Sequence, residues 1–322
     1  MARLIVVVVA VVGVPLALAA YIVGSEQLVK RLPRSVQPRV RPWFWVGPAL
    51  LMVTLFLVYP TVATLFVSLR DRAGDFAGLL NYQQVLSDNS VLVSIRNNIL
   101  WMVLLTGLVL VFGLAFAVLS DRVPYESAAK SLIFMPMAIS FVAAGVIWRF
   151  MYYYRPPGNP QTGTLNAIWT GLTHLPPRTW LIDHSTNNVA LIVTAVWVWT
   201  GFAMVILSAS LKGIPAELLE AARVDGANEL TVFWRVIVPL LAPTITVVAT
   251  TMIITALKAF DIVYVMTNGA FDTDVMGNRM YKELFNNHNF GRASAIAVIL
   301  LLACVPVLWF NLTRFREQEA RR

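Results

Sequence analysis

The sequence predicts an all-α, polytopic membrane protein: a bundle of bilayer-spanning helices joined by short charged connections. Three observations lead there. Hydrophobic residues make up 58% of the 322 residues and charged residues only 13%, too little polar surface to cover a soluble globule of this length. The charges gather in short stretches, and the runs between them reach the ~20 apolar residues that a spanning helix needs. Runs such as VALIVTAVWVWTGFAMVILSASL at 189–211 are apolar all round, whereas a membrane β-barrel alternates apolar and polar residues over segments of ~10.

Seven apolar runs follow in order, at about 3–23, 43–68, 99–120, 131–152, 189–211, 243–266 and 293–314. The first has Arg3, an apolar core and the small-residue site Ala17-Leu18-Ala19, features also found in a signal peptide. An uncleaved helix, peripheral to a core of six spans, is expected, since cleavage would put the polar stretch 212–242 on the outer face. Lys30, Arg31, Arg34, Arg39 and Arg41 lie between the first two runs, while only Arg3 precedes the first. By the positive-inside rule this linker is cytosolic and the N-terminus outside. Parity then places 121–130, 212–242 and the basic tail 315–322 inside, and 69–98, 153–188 and 267–292 outside. Cleavage of the first run would reverse these assignments. The stretch RPPGNP at 155–160 cannot be regular helix, because proline removes a donor and clashes with the preceding turn.

The chain therefore divides into an N-terminal helix with its basic linker, 1–42, and a transmembrane domain, 43–322. The net charge of +8 comes from basic residues at span ends, so the bilayer, not nucleic acid, is the expected partner. The single cysteine, Cys304, falls within the last run and allows no intrachain disulfide. His174, His184 and His288 lack ligand-like spacing, and no metal site is expected.

The most informative polar stretch is EAARVDGANELTVFWRVIVPLLAP at 220–243. Pro215 can open a helix, since its missing N–H is not needed in a first turn. Glu217 and Glu220 then share one face, near the positive end of the helix dipole. Ala221 and Ala222 keep the adjoining surface thin, and Gly226 permits a sharp reversal. A second short helix over 228–237 returns the chain to the membrane, with Pro239 and Pro243 restricting its exit. Taken alone, this describes either a docking loop or an ordinary capped amphipathic loop.

The spacing of Glu220-Ala221-Ala222, then Asp225-Gly226, then a Val-Pro ending at Pro239 resembles the EAA loop of ABC-importer permeases. The resemblance extends over about 43–320. It includes WVGPALLMVTLFLVYPTVATLFVSLRD at 45–71, SLIFMPMAISFVAAGVIWRF at 131–150 and FDIVYVMTNGAFDTDVMGNRMYKELFN at 260–286, and is nearest to the alpha-glucoside permeases. It implies a six-helix permease core whose loop, through Glu220, Ala221, Ala222, Asp225 and Gly226, couples to an ATP-hydrolysing subunit. It also implies a second, related permease, two ATPase subunits, an external solute-binding protein and a sugar as cargo, at the cytoplasmic membrane. No G-x-x-x-x-G-K-[ST] phosphate loop occurs. The chain is thus expected to be no enzyme, to have no catalytic residues and no cofactor of its own, and to leave ATP to its partners. One departure is Thr267-Asn268-Gly269-Ala270-Phe271, where many sugar permeases continue Thr-Asn with Gly-Gly-Pro.

For the substrate path, Lys258 and Asp261 stand out, because a charge at mid-helix costs about 2.5–3.5 kcal/mol. At i,i+3 spacing they either neutralise each other or line the path. Trp197, Trp199, Thr200 and Phe202, with Phe260 and Tyr264, add aromatic faces and a hydroxyl suited to the C–H faces and hydroxyls of a sugar; aromatic residues also serve as interfacial anchors. Alternatives are an importer of another solute such as glycerol phosphate, an ion-coupled secondary transporter using Asp261, and a non-transporting scaffold.

Overall fold

The computed structural model describes residues 2–121 and 123–319; the last three residues of the basic tail, 320–322, and Arg122 in the connection 121–130 lie outside them. Among the described residues the secondary structure is helical, apart from one isolated bridge between Arg70 and Phe76. Among the described residues six helices are long and apolar enough to span a membrane, or seven spans if one sharply bent pair counts as one. The polytopic helical class expected from composition is therefore what is found.

Contacts divide the chain into two compact units, residues 1–64 and 65–322. The first unit holds α1 (Ala2–Lys30) and most of α2 (Gln37–Ser68). The basic linker expected between spans is mostly helical, with only 31–36 outside a helix. There Arg41 pairs with Glu26, and the Tyr21 hydroxyl donates to the Phe44 carbonyl.

The second unit continues with α3 (Leu80–Ser87), α4 (Asn89–Ser120), the bent pair α5 (Glu126–Ala138) and α6 (Phe141–Met151), and α7 (Thr164–Thr173). Then follow α8 (Asn187–Lys212), α9 (Ala216–Val224), α10 (Glu229–Leu257), α11 (Asp261–Met266), α12 (Met276–Tyr281) and α13 (Phe290–Glu319). At the centre lies α8: 61% of its most apolar window is buried, against 22% for α4 and α10. It packs chiefly on α4. Small residues permit this approach. An added Cβ on Gly113 of α4 would lie 2.6 Å from that of Ala203, and one on Gly201 of α8 would lie 2.6 Å from the Ile133 carbonyl oxygen of α5.

Three expectations about element boundaries are corrected. The run 131–152 is not one straight helix: α5 ends in a tight turn over Met135–Ala138, and α6 leaves at 100°. Pro136 has no N–H for the Leu132 carbonyl, and extended Ile139 and Ser140 follow, with the Ser140 hydroxyl capping the Ala143 N–H. The run 243–266 breaks after Leu257, so Lys258 and Asp261 do not sit in mid-helix. The short helix expected over 228–237 is the first part of the long α10. A wide turn over Phe233–Ile237, with the Val238 N–H reaching back to the Phe233 carbonyl, absorbs the disturbance made by Pro239. The same device, Tyr59 N–H to Thr54 carbonyl ahead of Pro60, occurs in α2. In each case the wide turn accommodates a proline ring that would crowd the carbonyl four residues back.

Candidate functional site: a surface helix and two cavities

The segment 213–228 is built by local rules. Pro215 immediately precedes α9, and no residue of α9 is buried. Glu217, Glu220, Ala221, Asp225 and Gly226 are exposed and Ala222 half-buried. At its end the Gly226 N–H bonds the Arg223 carbonyl at 3.0 Å and the Ala227 N–H bonds the Ala222 carbonyl at 3.0 Å, the paired bonds of a Schellman reversal. This closure requires a left-handed residue, and Gly226 has φ +84°. Two residues on, the Asn228 side chain accepts from the Thr231 N–H at 2.8 Å and starts α10. Arg223 pairs with Glu229 at 2.8 Å across the turn, which holds the guanidinium above its ordinary pKa. Around this frame Val224 is 87% exposed, and Leu218, Leu230 and Trp234 are also uncovered. The result is a short helix, closed by a fixed turn, with a mixed acidic and apolar surface.

Its base is tied to other spans. Lys212, at the end of α8, reaches Glu126 of α5 at 2.5 Å. Lys130 lies 2.7 Å from Asp121 and 2.5 Å from Glu126, and Ser208 donates to Asp121 at 3.1 Å. These contacts join α5 to α8 and to Asp121, which follows α4.

The eight residues expected along a substrate path fall in three places. Trp199, Lys258, Phe260 and Asp261 line one inner cavity of about 60 Å³, with Trp101, Phe141 and Thr255, which the sequence reading missed. Phe202 backs this wall, its ring edge-on to Trp199 at 5.5 Å. Trp197 and Thr200 line a different, largely apolar cavity beside Phe112 and Phe116; the Thr200 hydroxyl is spent on the Val196 carbonyl at 2.6 Å. Tyr264 lines a third, outer cavity of about 420 Å³. Lys258 and Asp261 both face the inner cavity, and among the described residues no direct ion pair joins them.

The break between α10 and α11 is held from across the bundle. The buried Asn98 side chain donates to the Ala256 and Leu257 carbonyls at 3.0 and 3.3 Å and accepts from the Met276 N–H at 2.8 Å. Both carbonyls lie in the last turn of α10, where helical partners run out. Asn97 holds the Asp272 and Asp274 carbonyls at 2.7 and 2.8 Å, and Asn187 holds the Phe271 carbonyl at 2.6 Å. The departure from Gly-Gly-Pro thus gives a loop with Asn268, Phe271 and Asp272 all at positive φ, clamped by asparagines of α4 and α8.

Known proteins resemble this chain closely. The osmoprotective compounds uptake permease protein GgtC of Synechocystis is 53% identical over 279 residues, 86% of this chain and 100% of that protein. The alpha-glucoside transport system permease protein AglF of Rhizobium meliloti is 47% identical over 275 residues, 85% of this chain and 82% of that protein. In fold, the chain is similar to a crystal structure of a bacterial alginate ABC transporter in complex with an alginate pentasaccharide-bound periplasmic protein: TM-score 0.72 at 20% identity, covering 87% of this chain and 96% of that one. The profile described as binding-protein-dependent transport system inner membrane component matches residues 13–313. Spans, surface helix and similarity over nearly the whole length converge: the chain is a multi-pass inner-membrane protein that belongs to the binding-protein-dependent family of ABC-importer permeases.

Proposed function

We propose that the chain is the permease subunit that passes a saccharide of the alpha-glucoside type through an ATP-driven importer, and that α9 is where the ATPase drives it. The observation that carries the coupling is that α9 buries none of its residues yet is held by a fixed reversal and an ionic base. A helix so exposed and so constrained suits a cleft on another protein. In this reading Glu220, Ala221, Ala222, Asp225 and Gly226 meet the ATPase subunit. Lys258 and Asp261, with Trp199 and Phe260, face the cargo.

The sugar class is supported by an aromatic and ionic inner cavity and by the relative named for alpha-glucoside transport. At about 60 Å³ the inner cavity holds a few waters. Passage therefore involves opening, together with a second permease completing the path. The assembly further comprises two ATPase subunits, which bind the ATP, and an external solute-binding protein. The domain division is an N-terminal helix and linker, 1–42, and the permease domain, 43–322. A small osmoprotective solute is the second reading, favoured by the name of the relative at 53% identity.

The test is saccharide-stimulated ATPase activity and uptake in the reconstituted complex, comparing wild type with Glu220→Ala, Gly226→Val and Gly226→Asn. Gly226→Val should assemble but lose at least about tenfold in both activities, and Glu220→Ala severalfold; Gly226→Asn, which tolerates the left-handed region, should keep most of them. Full activity in Gly226→Val would remove α9 as the coupling element. Competition of uptake by maltose, trehalose and glycerol 3-phosphate decides the solute.

A further inference from the structure

We propose that the outer cavity, between the end of α6, the stretch 179–182 and the loop after α11, is a second saccharide subsite, a waiting position ahead of the inner cavity. The inference rests on the reading that the cargo is a saccharide. Its volume of about 420 Å³ is in the range of small-molecule sites, whereas the inner cavity, at about 60 Å³, is not. Most of its lining comes from connections that the charge pattern puts outside, or from helix ends adjoining them.

Both walls are fixed in advance. On one side the fully buried Asn166 donates to the Tyr153 carbonyl at 3.2 Å and accepts from the Trp180 indole N–H at 3.0 Å, tying two aromatic residues of the wall to each other. An added Cβ on Gly163 would lie 2.1 Å from the Tyr153 carbonyl oxygen, so this wall has no slack. On the other side Asn187 clamps the loop that bears Asn268 and Phe271, both at positive φ. Strain that the surroundings hold in place gathers at binding sites, and a site fixed beforehand loses less freedom on binding.

The chemistry fits a sugar. Tyr153 is 51% exposed and Tyr264 39% exposed, offering aromatic faces to C–H surfaces. Among the described residues no hydrogen bond engages the side chains of Tyr153, Thr179 or Asn268, and Arg149 spends one N–H on the Val265 carbonyl at 3.3 Å. That leaves a fork of donors suited to adjacent hydroxyls. The cavity also leads onward. Tyr264 stacks on Phe260 with centroids 5.2 Å apart, and Phe260 lines the inner cavity. The stacked pair of Phe260, just ahead of α11, and Tyr264 within it therefore joins the lining of one cavity to that of the other.

The test uses the complete complex in nanodiscs, trapped with vanadate, with Cys304→Ser and the near-isosteric Thr179→Cys. Maleimide labelling of Thr179→Cys should slow about fivefold in whichever of maltose, trehalose or sucrose the complex imports. Tyr153→Ala should cut the radiolabelled disaccharide retained by about fivefold, and Tyr153→Phe by less than about twofold. Import with unprotected labelling and unchanged retention overturns the subsite and leaves the sugar reading standing. Protection by glycerol 3-phosphate and by none of the disaccharides overturns both, and so does absence of both import and protection.

Discussion

At the residue scale, Asp88 shows how one carboxylate can serve several elements. It caps α4, accepting from the Ser90 N–H at 2.9 Å and from the Ser90 hydroxyl at 2.6 Å, and lies 2.6 Å from Arg292 and 3.3 Å from Arg279. The same two arginines flank Glu283, whose side chain is 1% exposed. Burial alone would raise the Asp88 pKa. Hydrogen bonds from the Ser90 hydroxyl, Arg292 and the Ser90 backbone, with the nearby Arg279 charge, outweigh it and bring the pKa down to about 2. A carboxyl lowered in the folded state contributes stability that is complete above its unfolded value and is lost as pH falls through the folded one. The apparent Tm of the purified protein should therefore drop between pH 4 and pH 2, roughly the window from the ordinary aspartate pKa to this lowered one. Asp88→Asn should lower Tm at pH 7 and flatten that part of the profile. An unaltered slope in the variant would mean that other carboxylates carry the acid sensitivity. None of this network was legible in sequence, because Asp88 and Arg292 are 204 residues apart. The reversal at Gly226 was legible because such a turn obeys rules that reach only three or four residues.

Among the elements, the approach of α8 to α5 is one that leaves no room for a side chain. A methyl on Gly201 would lie 2.6 Å from both the Ile133 carbonyl oxygen and the Phe134 Cα, so the backbones must part. Gly201→Ala should cost about 1–3 kcal/mol, read as a lower Tm and a lower yield of assembled complex. Gly107→Ala is the control: its added methyl meets nothing, and a mid-helix alanine is favoured over glycine by about 1 kcal/mol. Equal Tm for the two variants would show that the contact yields freely. Span existence was readable from apolar length, but span continuity was not. The run through Ala259, Phe260, Ile262 and Val263 stays apolar across the break after Leu257. The charges at Lys258 and Asp261 were the trace of that break. Pro136 likewise gave no measure of a 100° turn, because prolines in α2 and α10 are absorbed without one.

For the whole molecule, orientation is the property that every functional assignment shares. With the first helix retained, Asn159 faces outward and Tyr125 faces the cytosol. In a Cys304→Ser background, an impermeant maleimide should label Asn159→Cys on intact spheroplasts, and Tyr125→Cys only after permeabilisation. The reverse pattern would mean that the first span is removed and that α9 points away from ATP. Six long helices and one bent pair were largely legible from hydropathy, because lipid imposes a length on each span. The asparagine clamps and the outer cavity were not legible, because their members come from connections far apart in the chain.

The wide turns ahead of Pro60 and Pro239 have a further consequence, one of phase. Each inserts one residue beyond the regular helical count, which rotates everything on one side of it by about 100° relative to the other. In α10 that rotation falls between the reversal at Gly226 and the cavity-lining Thr255. Deleting a single residue from 233–237 would leave composition, hydropathy and span length almost untouched. It would nevertheless swing α9 about a quarter of the way around the helix axis, so a chain with an unchanged membrane profile would turn a different side of that exposed helix to its surroundings.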